Sequence, residues 1–173
     1  MIAALKESLW KQFGASIDMI KNAIVLWPEE NWNTRKRFFY IAYHTLIFLD
    51  YYLTIPAPKK FKAQLSFTDA QPDDTIDKDA VDDIVPDRLY TKKEVLDYLQ
   101  FTREKCHQVI TSLTEEKLTE RWIADEGKRD YAFLELLLYN MRHVQHHAAQ
   151  LNMMLRQEIN DAPHWVARAG EGV

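Results

Sequence analysis

Four long segments of the chain repeat their hydrophobic residues every three or four positions, which is the spacing of an amphipathic α-helix. The first runs from Ala3 to Leu26 and ends at Trp27-Pro28, because the residue before a proline is pushed out of helical geometry. The second starts after Asn33 or Thr34, either of which can cap it, and runs to about Leu53. Each carries one continuous apolar stripe, so we expect both to pack against a shared core.

The other two helical segments lie in the second half of the chain. Thr91-Lys92-Lys93-Glu94 forms a capping box at the start of the third, which is predicted to bury Leu96, Leu99, Cys106, Ile110 and Leu113. The fourth is predicted from Tyr131 to about Ile159, with Asp130 as its cap. Almost nothing in the chain is typical of a strand. The sequence therefore predicts an all-α four-helix bundle, with residues 1–160 as a single domain and 161–173 as a C-terminal tail.

A long segment, Thr54 to Tyr90, separates the second and third helices. It holds four prolines and, from Asp69 to Asp87, eight aspartates. A loop of this length in a compact domain is usually a lid, a crossover connection or disordered, and a crossover would join two parallel helices. Because no Asp-x-Asp-x-Asp-Gly calcium loop is present, we interpret the segment as a solvated acidic crossover loop.

Composition and charge narrow the class of protein. The chain has 173 residues, 47% of them hydrophobic, and a net charge of −4, which speaks against nucleic acid as a partner. No signal peptide is recognisable, and the apolar run from Phe38 to Leu49 is too short to span a bilayer, so we expect a soluble cytoplasmic protein without a membrane partner. Two basic clusters, Arg35-Lys36-Arg37 and Lys59-Lys60-Phe61-Lys62, are interpreted as solvated surface, with an anion site as the alternative.

Three histidines carry the chemistry of the sequence. His143 and His147 lie four residues apart on the fourth helix, so both side chains fall on one helical face and can hold one ion. His44 lies on the apolar stripe of the second helix, from where it can complete the set across the bundle. Unpaired polar groups at such positions cost a few kcal/mol, and a metal ion would supply the shared partner. His146 is an alternative ligand if the helix is rotated.

Other catalytic frameworks find little support. There is no His-Glu-x-x-His, no phosphate-binding glycine loop and no Cys-x-x-Cys, and a di-iron bundle would need a second motif like Glu104-Lys105-Cys106-His107. Cys106, the only cysteine, lies on an apolar stripe that would raise its pKa, which makes it a poor nucleophile. His107 is expected to face solvent, and His164 belongs to the tail.

With His44 in the second helix and His143-x-x-x-His147 late in the chain, the sequence resembles the DinB/YfiT-like superfamily of four-helix metalloproteins. The family motif often continues with Arg-Gly-Gln, where this chain has Ala148-Ala149-Gln150. The resemblance covers essentially the whole chain in helix order. It implies a three-histidine site for a divalent metal ion, for which we expect zinc or nickel, with one coordination position open.

Characterised members of that superfamily include thiol S-transferases and a thiol-dependent isomerase that use bacillithiol, mycothiol or glutathione. The resemblance therefore implies a metal-dependent enzyme that activates a low-molecular-weight thiol toward a small-molecule substrate. By the same resemblance Gln150 would orient water or substrate, and Tyr40 and Asn140 would line the cofactor pocket. The alternative is a non-enzymatic metal-binding bundle that acts as a sensor, stress or interaction protein, and a homodimer is an open alternative in either case.

Overall fold

Four long helices form the body of the protein in the computed structural model, which describes residues 1–170. They are α1 (Ile2–Leu26), α2 (Lys36–Tyr52), α3 (Lys92–Thr111) and α5 (Phe133–Ile159), with a short α4 (Glu115–Thr119). Two antiparallel hairpins pair β1 (Phe67–Asp69) with β2 (Ile84–Pro86) and β3 (Arg121–Ala124) with β4 (Arg129–Ala132). The predicted all-α four-helix bundle is confirmed.

Each of the four long helices packs mainly against two of the others. Helix α5 packs against α1 and α2, and α3 packs against the same two helices from the other side. Helices α2 and α3 run in the same direction, since Trp32, just before α2, donates a hydrogen bond to the carbonyl of Tyr90 just before α3. Farther along, Asp50 of α2 forms an ion pair with Lys105 of α3. The segment between them therefore has to return along the bundle, as a crossover does.

Of the three N-terminal caps predicted from the sequence, one is present and two are absent. The capping box is present: the Glu94 amide donates to the Thr91 hydroxyl at 3.2 Å and the Glu94 carboxylate accepts from the Thr91 amide at 2.8 Å. Neither Asn33 nor Thr34 caps α2, whose first flanking residue is Arg35, without a side-chain cap. Asp130 does not cap α5, because its carboxylate pairs with Arg121 across the second hairpin, at 2.8 Å.

The two hairpins were not expected from the sequence. In β3, exposed and buried residues alternate over only four positions, with Trp122 3% and Ala124 8% exposed. So short an alternation does not stand out beside the apolar helices that flank it. The first hairpin lies inside the crossover segment, which the Tyr43 hydroxyl fastens to α2 through the carbonyls of Leu65 and Ser66, at 2.9 and 2.8 Å.

The described part of the tail folds back onto α1. The Ala169 amide donates to the Lys11 carbonyl at 2.8 Å, and Val166 is buried. Gly14 permits this approach, because a Cβ atom at that position would lie 2.6 Å from the Cβ of Ala169. Within residues 1–170, no helix has the length and apolar character needed to cross a membrane.

Candidate metal centre

Three imidazole rings meet between α2 and α5. The Nε2 atom of His143 lies 3.1 Å from Nε2 of His44 and 3.1 Å from Nε2 of His147. The i, i+4 spacing on α5 stacks His143 and His147 on one face, and the packing of α5 against α2 brings His44 to that face. The three residues sit where their side chains could hold one metal ion.

Polar partners favour one tautomer for two of these rings. The Oε1 atom of Gln150 lies 2.7 Å from Nδ1 of His147, so Nδ1 carries the hydrogen and Nε2 presents a lone pair. Nδ1 of His44 lies 3.0 Å from a carboxylate oxygen of Asp82, which favours the same tautomer. That N–H is not aligned for a regular hydrogen bond, so the contact with Asp82 is mainly electrostatic.

The donor set fits a divalent cation. Nε2 of His143 faces the Nε2 lone pairs of His44 and His147. The His143 ring is neutral, so its Nε2 can donate a hydrogen to only one of these two lone pairs. A cation at the meeting point accepts all three lone pairs. Tetrahedral zinc with nitrogen ligands at 2.0–2.1 Å separates those nitrogens by about 3.3 Å, close to the observed 3.1 Å. The remaining Nδ1 atom of His143 is buried without a protein partner.

Burial keeps the rings of His143 and His147 uncharged, as metal ligands must be. Loss of hydration lowers the pKa of His143 to about 3, and positive charge on His147 or His44 would lower it further. Burial likewise lowers the pKa of His147 to about 4, although its hydrogen bond to Gln150 acts in the opposite direction. Both rings are therefore neutral at pH 7, and protons do not compete with a cation for them.

Asp82 is the site residue that the sequence did not reveal. It lies in the crossover segment, and its side chain is 28% exposed, against 11% for the His44 side chain that it contacts. A carboxylate on the second nitrogen of a ligand histidine orients the ring and makes it more basic. The interpretation of the segment as a solvated acidic loop is wrong for Asp82. It is also wrong for Asp77, which forms an ion pair with Lys36 at 3.1 Å.

Gln150, expected to orient water or substrate, and Tyr40 and Asn140, expected to line the cofactor pocket, all have contacts within the protein. Gln150 contacts His147 rather than open space. Asn140 is fully buried and donates to the carbonyl of Leu49 at 3.1 Å, while its Oδ1 atom has no protein partner. Tyr40 is buried, and its pKa is raised by burial and by the negative charge of Asp77. Their roles toward a substrate or cofactor remain predictions.

The remaining histidines and the cysteine lie apart from the three rings. His146 is exposed beside His147, and its ring does not join the Nε2 cluster. His107 is exposed as expected and contacts the Trp10 ring at a tilt, while His164 is exposed in the tail. Cys106 is fully buried, and burial raises the pKa of its thiol.

Fold and site together define a helical bundle with a buried three-histidine cluster suited to a metal ion. The sequence model of the DinB superfamily matches residues 10–151, which include all three histidines. The chain belongs to the DinB superfamily. Comparison with curated proteins and with solved structures gives no match.

Proposed function

We propose that this protein is a metal-dependent enzyme in which His44, His143 and His147 bind one divalent ion, zinc or nickel. The convergence of one ring nitrogen from each of the three histidines within 4.8 Å of one another is the observation that supports it. A structural zinc site normally has four protein ligands, whereas three leave a position for a reactant. The described residues offer only these three histidines as such a set.

The reaction we propose is transfer of a small thiol to an electrophile. The metal supplies Lewis acidity that keeps a thiol ionised at neutral pH. In this reaction the thiol loses its proton to solvent, a carbon–sulfur bond forms, and the leaving group departs with its electron pair. Gln150 and Asp82 favour the tautomers of His147 and His44 that present Nε2, so the chain's own part is to position these rings.

Metal analysis of the purified protein tests the site. We expect about one zinc or nickel ion per chain and loss of that ion in His147→Ala. His146→Ala is the matched control, since it removes the neighbouring exposed imidazole, whose ring contacts His147 but does not belong to the group of three. Full metal content in His147→Ala would refute the ligand set.

A thiol screen tests the reaction. Metal-loaded protein is mixed with a model electrophile, a chlorodinitrobenzene, and with glutathione, bacillithiol or mycothiol in turn, and chloride release is followed. We expect one thiol to react and His147→Ala to be inactive. Stoichiometric metal without reaction with any thiol, and without a spectral change of the cobalt-substituted protein, would favour the non-enzymatic sensor or interaction protein.

A further inference from the structure

A cleft of about 850 Å³ lies beside the candidate metal centre. Its floor is the α2 stripe of Ile47, Phe48 and Tyr51, which continues the helical face of His44 at i+3, i+4 and i+7. The Phe48 ring is the shared wall, with its centroid 4.8 Å from that of His44 and 5.8 Å from that of His143. One aromatic ring therefore separates the cleft from the three imidazoles.

The cleft has an aromatic lining that continues from this wall. Tyr51 meets Phe61 with centroids 5.4 Å apart, and Phe61 meets Phe67 at 6.2 Å. All of these rings are only partly buried, so each leaves apolar surface facing the cleft. The volume is in the range of small-molecule sites, and such rings suit a planar or aliphatic body.

Positive charge borders one side of this lining. Lys59, Lys60 and Lys62 all border the cleft and are exposed, and within residues 1–170 none of them forms a salt bridge. Arg129 also borders it but is neutralised by Asp125 at 2.9 Å. Asp69 and Asp83 lie on the hairpin side, which leaves the lysine side with an excess of free positive charge.

We propose that this cleft binds the organic substrate of the enzyme, a small anion with an apolar body, with its acidic group on the lysines and its body against Phe61, Tyr51 and Phe48. The inference rests on the proposed function only in naming the ligand as substrate. The basic cluster at 59–62, which the sequence left open between solvated surface and anion site, is then an anion site. The apolar end of such a ligand would point toward the imidazoles across Phe48.

A pair of fluorescent probes tests the site without knowledge of the natural substrate. Anilinonaphthalene sulfonate carries a fused aromatic body and one negative charge, and phenylnaphthylamine has the same body without the sulfonate. We expect the sulfonate to bind the native protein at least about fivefold more tightly than the neutral probe, since exposed ion pairs each add a modest attraction. Amide chemical shifts in an NMR titration should change at 59–69 and around Tyr51.

Two triple variants separate this site from general charge effects. Replacing Lys59, Lys60 and Lys62 by Gln should weaken sulfonate binding by roughly fivefold or more and leave the neutral probe unaffected. Replacing three exposed lysines elsewhere by Gln removes the same charge and should leave the affinities of both probes unchanged. These lysines are Lys78, Lys93 and Lys117. Equal sulfonate affinity in both triple variants would overturn the proposal.

The proposal would also be overturned if the sulfonate probe changed amide chemical shifts only in a second groove, between α1 and α5 around Leu138 and His146. The metal content of each variant is measured in parallel. Probe binding that survives in metal-free His147→Ala would support the cleft even if the metal proposal failed. Loss of probe binding in the cleft variant with metal retained shows that the metal centre is not the cause.

Discussion

Replacing Asp82 by Asn should weaken metal binding without unfolding the protein. The substitution keeps the size of the side chain and removes the negative charge that lies 3.0 Å from Nδ1 of His44. The carboxylate favours the tautomer of His44 whose lone pair is on Nε2, and it makes that nitrogen a stronger donor. An amide can still contact the ring, but it supplies neither the charge nor the same preference for the tautomer.

The expected size of the effect follows from the exposure and the geometry of this contact. Partners on the outer nitrogen of a ligand histidine typically contribute about tenfold to hundredfold in metal affinity. Asp82 is 28% exposed, and the His44 N–H is poorly aligned with it, so screening by water reduces its contribution. We therefore expect the lower end of the range, a loss of about tenfold in zinc affinity, which corresponds to about 1.4 kcal/mol.

Competition with a chromophoric chelator measures this affinity, and urea unfolding of the metal-free proteins shows whether the fold is intact. The matched control is Asp83→Asn, which removes the same charge one residue away without a contact to His44. Equal losses in the two variants would show that only the general negative field of the segment matters. An unchanged affinity in Asp82→Asn would refute a role for this carboxylate altogether.

Three further outcomes are expected. Gln150→Ala removes the acceptor for Nδ1 of His147 and should weaken zinc binding by about tenfold in the same competition assay, with little change in unfolding. In the metal-free protein, the pKa values of His143 and His147, about 3 and 4, lie below the unfolded value of about 6.5. The folded state then binds fewer protons than the unfolded state in this window, so the free energy of unfolding in urea should fall as pH decreases from about 6.5 toward 4, and His147→Leu should flatten that slope. Cys106, whose thiol pKa is raised by burial, should resist iodoacetamide in the native protein and react in urea, as mass spectrometry would show; rapid native alkylation would contradict its burial.

The histidine cluster was predictable because its members lie on regular helices. Helical periodicity places His143 and His147 on the inward face of α5 and His44 on the inward face of α2. When these two faces pack together, the three side chains come close to one another. Asp82 could not be chosen in this way. It is one of eight aspartates between 69 and 87, and which one reaches His44 depends on the path of the segment.

That path is set by contacts far apart in sequence. The Tyr43 hydroxyl holds the carbonyls of Leu65 and Ser66, and Arg37 donates to the carbonyls of Asp79 and Ala80. Such contacts cannot be predicted from the local sequence, because their partners lie far apart along the chain. The prediction that Asp130 caps α5 failed for a related reason. Aspartate is a good helix cap by residue type, but the Asp130 carboxylate pairs with Arg121 on the neighbouring strand.

The crossover segment serves both parts of the site, and this has a thermodynamic consequence. It supplies Asp82 to His44, and through Phe61 and Phe67 it also supplies a wall of the aromatic cleft. A ligand that orders this wall would also hold Asp82 against the ring, and a metal ion that draws His44 into place would favour the same arrangement of the segment. Because coupling between two binding sites is reciprocal, any factor by which the ligand tightens metal binding must equal the factor by which metal tightens the ligand. The segment is suited to transmit this coupling, because the stretch that carries Asp82 is attached to α2 through Arg37 and Lys36 and continues directly into the β1–β2 ladder.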